Sequence, residues 1–373
     1  MSGLLSIYLD LVRFLAAVGV LLWHAGQNPV STSVLPQVFF NHKLVIIFFV
    51  ISGYVIAASA SRPDRSLANY SADRLARLSS VMIPALVLTY CLDAIGSRVS
   101  PDTYLFINPH WQSLRFFANF FYCQQIWFLC VVPSSNSPFW SLGYEFWYYA
   151  LFGIWLFVRA KWTKLLLCLA VSLFIGPKIL LLFPAWMAGA LAFYTSKACQ
   201  STRGRSLMLF FGTGVATLLA LVFEDQLGLN NGKAGAPPLY YSSNAVGDNI
   251  FAMLVAAHFV GCALLSRHVS TALENQPAVK WIRWMAGHTF SLYVYHLPIL
   301  LFIRAITHYD PHSPIAVLAA ISFALLTIVG LSKITEEPYP AVRSLLRRWI
   351  TRLLGRFQHQ TTRRPLAPSP QSI

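Results

Sequence analysis

Ile7-Tyr8-Leu9-Asp10-Leu11-Val12-Arg13-Phe14-Leu15-Ala16-Ala17-Val18-Gly19-Val20-Leu21-Leu22-Trp23-His24-Ala25 is an apolar run that carries Asp10, Arg13 and His24. It is long enough to cross a bilayer, which takes about 20 apolar residues. Arg13 and His24 stand eleven residues apart. That is about three helical turns, so the two share one helix face roughly 16 Å apart along the axis. A central Arg costs a span about 2.5–3.5 kcal/mol or more, and ionisable groups kept at that cost mark functional sites. The alternative is an Asp10–Arg13 pair that only locks helices together, with His24 reaching the outer interface.

Composition sets the class. Of 373 residues, 56% are hydrophobic and 11% charged, against about 25% charged in soluble domains, and the mean hydropathy is +0.57. The chain reads as an all-α polytopic membrane protein. Its apolar runs predict ten spans, near 7–25, 44–61, 78–96, 140–158, 164–176, 179–195, 206–223, 246–265, 286–305 and 315–333. With the N-terminus inside, all but seven of the 28 Lys and Arg residues fall in inner loops or the C-terminal tail. The seven are Arg13, Lys43, Arg98, Arg115, Lys178, Lys233 and Arg304. This is the positive-inside bias, and it puts both termini in the cytoplasm. The net charge of +15 therefore reports topology and gives no reason to invoke a nucleic acid.

Two segments need the same charge argument. Fusing 164–197 across Gly176-Pro177-Lys178 into one helix would invert every later loop, so two helices and a tight turn are expected there. Counting 116–132 as a span would place Arg159, Lys161 and Lys164 outside, so a re-entrant or interfacial segment is expected instead. Residues 1–340 form one membrane unit. The stretch 341–357 alternates an apolar face with Arg343, Arg347, Arg348, Arg352 and Arg356, the pattern of an amphipathic juxtamembrane helix on an anionic leaflet. The Pro, Ser, Thr and Gln content of 358–373 reads as a disordered tail. No basic n-region precedes the first run, which argues against a cleaved leader. The six cysteines show no CxxC spacing, and no metal site is expected; Cys123 and Cys130 are placed to pair or to stay free.

Four further clusters sit at span ends. Ser52-Gly53-Tyr54 interrupts the second apolar run; Gly allows close helix approach and Ser bonds across helices, so packing is a full explanation for it. Arg74 and Arg77 lie one turn apart, as forks suited to phosphate or as ordinary inner-face charge. Glu145, in Trp140-Ser141-Leu142-Gly143-Tyr144-Glu145, is buried in a span and needs an Arg or His partner, catalytic or structural. Ser291-Leu292-Tyr293-Val294-Tyr295-His296 places a second His in a span beside Pro298. His258 stands alone and reads as packing.

In this order the clusters resemble the acyltransferase-3 family of integral membrane O-acyltransferases. The resemblance runs from Leu9-Asp10-Leu11-Val12-Arg13-Phe14 and His24, through Phe48-Phe49-Val50-Ile51-Ser52-Gly53-Tyr54, Arg74-x-x-Arg77 and Trp140-Ser141-Leu142-x-x-Glu145 with Tyr149. It ends with Ser291 to His296 and Glu336-Glu337-Pro338. Pro84 lies seven residues past Arg77, further than in many relatives. The resemblance implies ten helices and transfer of an acyl group, acetyl foremost, from cytoplasmic acyl-CoA to a hydroxyl of a glycan, polysaccharide or glycolipid. It implies His24, Arg13 and Glu145 as catalytic, with Glu145 orienting or charge-balancing His24. Arg74, Arg77 and Asp10 would serve the donor, with Ser52, Tyr293, His296 and Glu336 supporting. Acyl-CoA is then a substrate and no cofactor is bound. The location is a plasma membrane, a bacterial inner membrane by family, and homo-oligomerisation is left open. A transporter or flippase of a glycan or anionic substrate is the competing class.

Overall fold

A computed structural model describes residues 3–32, 41–63, 65–229, 237–269, 276–336 and 339–361. Its regular elements are all helical: α1 (Gly3–Ala25), α2 (Asn41–Ala60), α3 (Leu67–Val99), α4 (Gln112–Phe120), α5 (Trp140–Phe157), α6 (Lys161–Ile175) and α7 (Pro177–Leu181). There follow α8 (Phe183–Ala198), α9 (Arg203–Val222), α10 (Ala245–Leu265), α11 (Pro277–Gly287), α12 (Thr289–Thr307), α13 (Pro314–Glu336) and α14 (Tyr339–Thr361).

Among the described residues, eight stretches are long and apolar enough to cross a membrane: α1, α2, α3, α7 with α8, α9, α10, α12, and α13 running into α14. Ten were expected, and α5 and α6 make the difference. The 18 residues of α5 include Trp140, Tyr144, Glu145, Trp147, Tyr148 and Tyr149, whose polar tips lower its hydropathy although most are buried. The 15 residues of α6 extend about 22 Å at 1.5 Å per residue, short of a hydrocarbon core of about 30 Å. Gly176, at φ +79°, makes the expected turn between α6 and α7. A side chain there would meet the Trp127 backbone at 2.7 Å.

The segment 116–132 is not a long helix. α4 ends at Phe120, and the chain then runs irregularly, with Asn119, Gln124 and Gln125 fully buried. Such backbone is held by protein contacts: Trp127 N–H donates to Ile175 O at 2.8 Å and Asn119 Nδ2 to Val131 O at 3.0 Å. Cys123 and Cys130 are both free thiols. The helical pattern expected over 341–357 lies within α14, which continues through 358–361, where a disordered tail was expected; the rest of that tail lies outside the described residues from 362 onward, as do Lys233, Glu337 and Pro338.

Two contacts fix the bundle around the site. α2 and α8 touch backbone to backbone: a Cβ on Gly53 would lie 2.0 Å from Trp186 O, and one on Gly189 would lie 1.9 Å from Val50 O. Only glycine at both crossings permits this approach. In α12, Pro298 has no N–H for the carbonyl four residues back. Asn136 supplies the missing donor, its Nδ2 lying 2.8 Å from Val294 O and 3.0 Å from Thr89 Oγ1. The loop before α5 is thereby fastened to the middle of α12 and to α3.

Two of the basic residues that break the charge bias are buried. Lys43 Nζ pairs with Asp248 at 2.8 Å and Glu224 at 3.7 Å, beside His42. Lys178 donates to Leu129 O. Neither is a loop charge, so neither counts against the bias.

Candidate active site

Two cavities in the described bundle lie at different levels along the same helices. In α1 the first is lined by Arg13 and the second by Trp23 and His24; in α12 the first is lined by Thr289, Phe290 and Tyr293 and the second by Leu297 and Leu301.

The first cavity, about 380 Å³, collects Arg13, Arg74, Arg77, Ser52, Glu145 and Tyr149, with Phe48, Phe49 and Val45 on its apolar side. Glu145 accepts from Ser52 Oγ at 2.6 Å and from the Tyr149 hydroxyl. Ser52 in turn accepts from Trp186 Nε1 at 3.1 Å. Gly53 is what brings Ser52 here, because the close α2–α8 contact is one residue away. Arg74 lies 5.9 Å over the Tyr149 ring, and its Nε is buried without a hydrogen bond. Arg77 pairs with Glu336 at 3.5 Å. Glu336 is itself held by Ser291, whose Oγ donates at 2.7 Å and whose N–H donates at 3.3 Å. Asp10 lies 3.8 Å from Arg13 and is not part of the lining. Three guanidiniums line the cavity with the Glu145 carboxylate; Arg13 and Arg77 have further carboxylates nearby in Asp10 and Glu336, while the buried Arg74 Nε has no hydrogen-bond partner.

The second cavity, about 300 Å³, has a different lining: the Trp23 and Phe106 rings, the amides Gln27, Asn28 and Asn108, the hydroxyls of Ser134, Ser135 and Ser137, and His24 and Arg115. Ser135 is fixed by buried Asp93, which accepts from its N–H at 2.9 Å and its Oγ at 2.8 Å. Aromatic rings here stand among hydrogen-bonding side chains and one guanidinium, that of Arg115.

A thin layer separates the cavities. Tyr293 faces the first and Leu297 the second, four residues apart on one helix, about 6 Å. Between them on α12 lies His296, and Phe48 packs near Tyr293 on the wall of the first cavity. Tyr293 OH lies 2.8 Å from Ser141 Oγ and 3.0 Å from Pro138 O, and Phe48 packs on its ring. His296, fully buried, lines neither cavity. Its Nδ1 lies 2.9 Å from Leu292 O. A carbonyl only accepts, so Nδ1 carries the proton and the neutral ring presents Nε2 as an acceptor. That nitrogen is 3.1 Å from His24 Nδ1, which also lies 2.9 Å from Val20 O. His24 Nδ1 is thus the protonated nitrogen, and Nε2 is left with a free lone pair on a ring that lines the second cavity.

The residues singled out from sequence divide into two groups. Arg13, Ser52, Arg74, Arg77, Glu145 and Tyr293 meet at the first cavity, and Glu336 supports it through Arg77; His24 and His296 meet in the layer and at the second. The expected pairing of Glu145 with His24 does not occur: Glu145 bonds Ser52 and Tyr149, and His296 takes the place beside His24. His258 is satisfied by Tyr8 at 2.5 Å and Phe210 O at 3.1 Å, as a packing residue should be. Sequence reasoning missed Trp23, Phe106, Asn108, Arg115 and Ser134 to Ser137. Most lie in loops, where neither hydropathy nor spacing gives a signal; Trp23 beside His24 was the one available cue.

Helices long enough to span a membrane, around a cavity lined by three arginines and a nearby histidine pair, define a multi-pass membrane protein. The profile of the acyltransferase-3 family, described as an acyltransferase domain, matches residues 6–333. The chain belongs to this family, and it is a membrane acyltransferase. No curated protein and no solved structure matches it.

Proposed function

We propose that the chain transfers an acyl group, acetyl foremost, from cytoplasmic acyl-CoA to a hydroxyl of a glycan, polysaccharide or glycolipid. The observation that carries this reading is the pair of back-to-back cavities, one with three guanidiniums and the other with the free nitrogen of His24 among rings and amides. Arg74 and Arg77 hold the donor's phosphates by charge-assisted bonds. Arg13 lies further in, along the path of the pantetheine arm, and the thioester extends toward the Tyr293–His296 layer. The acceptor lies on Trp23 and Phe106, with its hydroxyl at His24 Nε2.

The chemistry then follows from the tautomer. His24 Nε2 takes the acceptor proton as its oxygen attacks the thioester carbonyl. The C–S bond breaks, the new ester forms, and the imidazolium returns the proton to the leaving thiolate, giving free CoA. His296 holds the ring in the productive tautomer. Glu145 keeps Ser52 and Tyr149 in place and balances the arginines.

Topology belongs to the same reading. With α5 and α6 also crossing, the chain has ten spans and both termini inside, and the arginine cavity opens to the cytoplasm of a plasma membrane, a bacterial inner membrane by family.

The test is free-CoA release from acetyl-CoA and from a longer acyl-CoA by protein in liposomes, native against His24→Ala, with a direct acyl-CoA titration alongside. His24-dependent release supports the proposal. Acyl-CoA binding without release, once glycan acceptors are supplied, contradicts the transfer step. Failure to bind acyl-CoA favours a transporter that performs no covalent chemistry.

A further inference from the structure

α14 is not needed for the chemistry above, yet it touches the donor cavity. Its first residue, Tyr339, lines that cavity. One turn later Arg343 pairs with Asp73 on α3, an aspartate shared with Arg65. Asp73 directly precedes Arg74, so the same turn of α3 carries both the anchor of α14 and a cavity guanidinium.

Up to Arg352, α14 has a face that the protein leaves uncovered. Val342, Leu346 and Ile350 are half-buried along one side. Leu345 and Trp349 are 62% and 59% exposed. At about 100° per residue, Leu345 and Trp349 fall on the flank of the apolar stripe, within about 60° of Val342. Arg352 and Arg348, both exposed, come next around the helix. Arg347 and Thr351 lie on the opposite side. An apolar strip edged on its open side by two cations matches a leaflet whose acyl chains meet phosphates.

We infer that α14 docks on an anionic lipid leaflet through Leu345 and Trp349, with headgroup phosphates on Arg348 and Arg352, and that this docking holds the Tyr339 wall of the arginine cavity. The occupant is lipid because the surface combines apolar and cationic groups at the helix edge. Among the described residues of α14 up to Arg352 there is no acidic side chain that would suit a basic partner. The second limb, the effect on the cavity, rests on the donor reading given above.

The experiment uses the unaltered chain in nanodiscs of phosphatidylcholine, with and without phosphatidylglycerol. Hydrogen exchange over 341–352 reports docking independently of any activity. Each Arg near an anionic surface contributes about 1 kcal/mol, so two slow the exchange about 30-fold in the anionic discs. Arg348→Gln/Arg352→Gln abolishes most of that difference, whereas Arg347→Gln keeps most of it. Equal exchange in both lipids overturns the docking, as does protection that follows protein density, which would place a second copy on the face. Acyl-CoA titration in the same discs tests the coupling: tighter binding with phosphatidylglycerol supports it and equal binding overturns it. No binding in either lipid overturns the donor reading together with the coupling, and a difference in exchange would still support docking.

Discussion

Replacing His296 by Leu removes the acceptor facing His24 Nδ1 and leaves Val20 O, at 2.9 Å, as that proton's remaining partner. The productive tautomer is then held by one bond in place of two. A hydrogen bond of this kind is worth about 0.5–1.5 kcal/mol net, so the acyl-transfer rate falls about 2- to 13-fold. His24→Ala removes the base itself and costs about 10²–10⁴-fold. His296→Gln returns an acceptor oxygen near the place of Nε2 and recovers much of the loss. The assay is single-turnover acyl transfer in proteoliposomes, with each variant's melting temperature checked first. If His296→Leu falls as far as His24→Ala, His296 is itself the base and the assignment of roles is wrong. If Gln does no better than Leu, the histidine pair serves packing and the tautomer argument fails.

Three other outcomes follow from contacts described above. Arg74→Ala loses charge-assisted bonds worth about 1.5–3 kcal/mol and raises the apparent KM for acyl-CoA about 13- to 160-fold; an unchanged KM removes Arg74 from the donor site. Asn136→Leu leaves Val294 O unpaired at a cost of about 1–3 kcal/mol and lowers the melting temperature. Adding Pro298→Ala restores the missing N–H and recovers part of the loss, and no recovery would refute the link. Burial pushes the Cys123 and Cys130 thiols up from their ordinary range, so both stay protonated at neutral pH. Their maleimide labelling, followed by peptide mass spectrometry, is slow at pH 7 and climbs as pH rises past the usual thiol range; labelling at pH 7 as fast as that of exposed Cys199 contradicts this.

Most of the bundle was legible because lipid leaves long apolar helices few alternatives, and α1, α2, α9, α10 and α12 follow the hydropathy closely. The reading was weakest where burial comes from protein and not from lipid. α5 is buried among other helices, so it carries tyrosines and a glutamate that a lipid-facing helix would not. The short α4 and α11 gave no long apolar run to find. At the site, charge and motif led to each cavity, but partnership did not follow: Glu145 and His24 were natural mates by charge and sit in different cavities. The bond between Asn136 and the carbonyl freed by Pro298 spans 158 residues, and no local pattern announces it.

The thinness of the layer between the cavities has a consequence for the cell. An enzyme that reached its acceptor through an open shaft would leak ions, and each charge crossing releases about 2.3 kcal/mol per 100 mV. Tyr293, His296 and Phe48 carry no formal charge in the arrangement seen here, and Tyr293 is latched at both Ser141 and Pro138. On the proposed reading, the stretch of α12 from Tyr293 to Leu297, about one helical turn, is the insulator between the two cavities. A small neutral acyl group is among the few things that could be passed through it without the membrane losing its voltage.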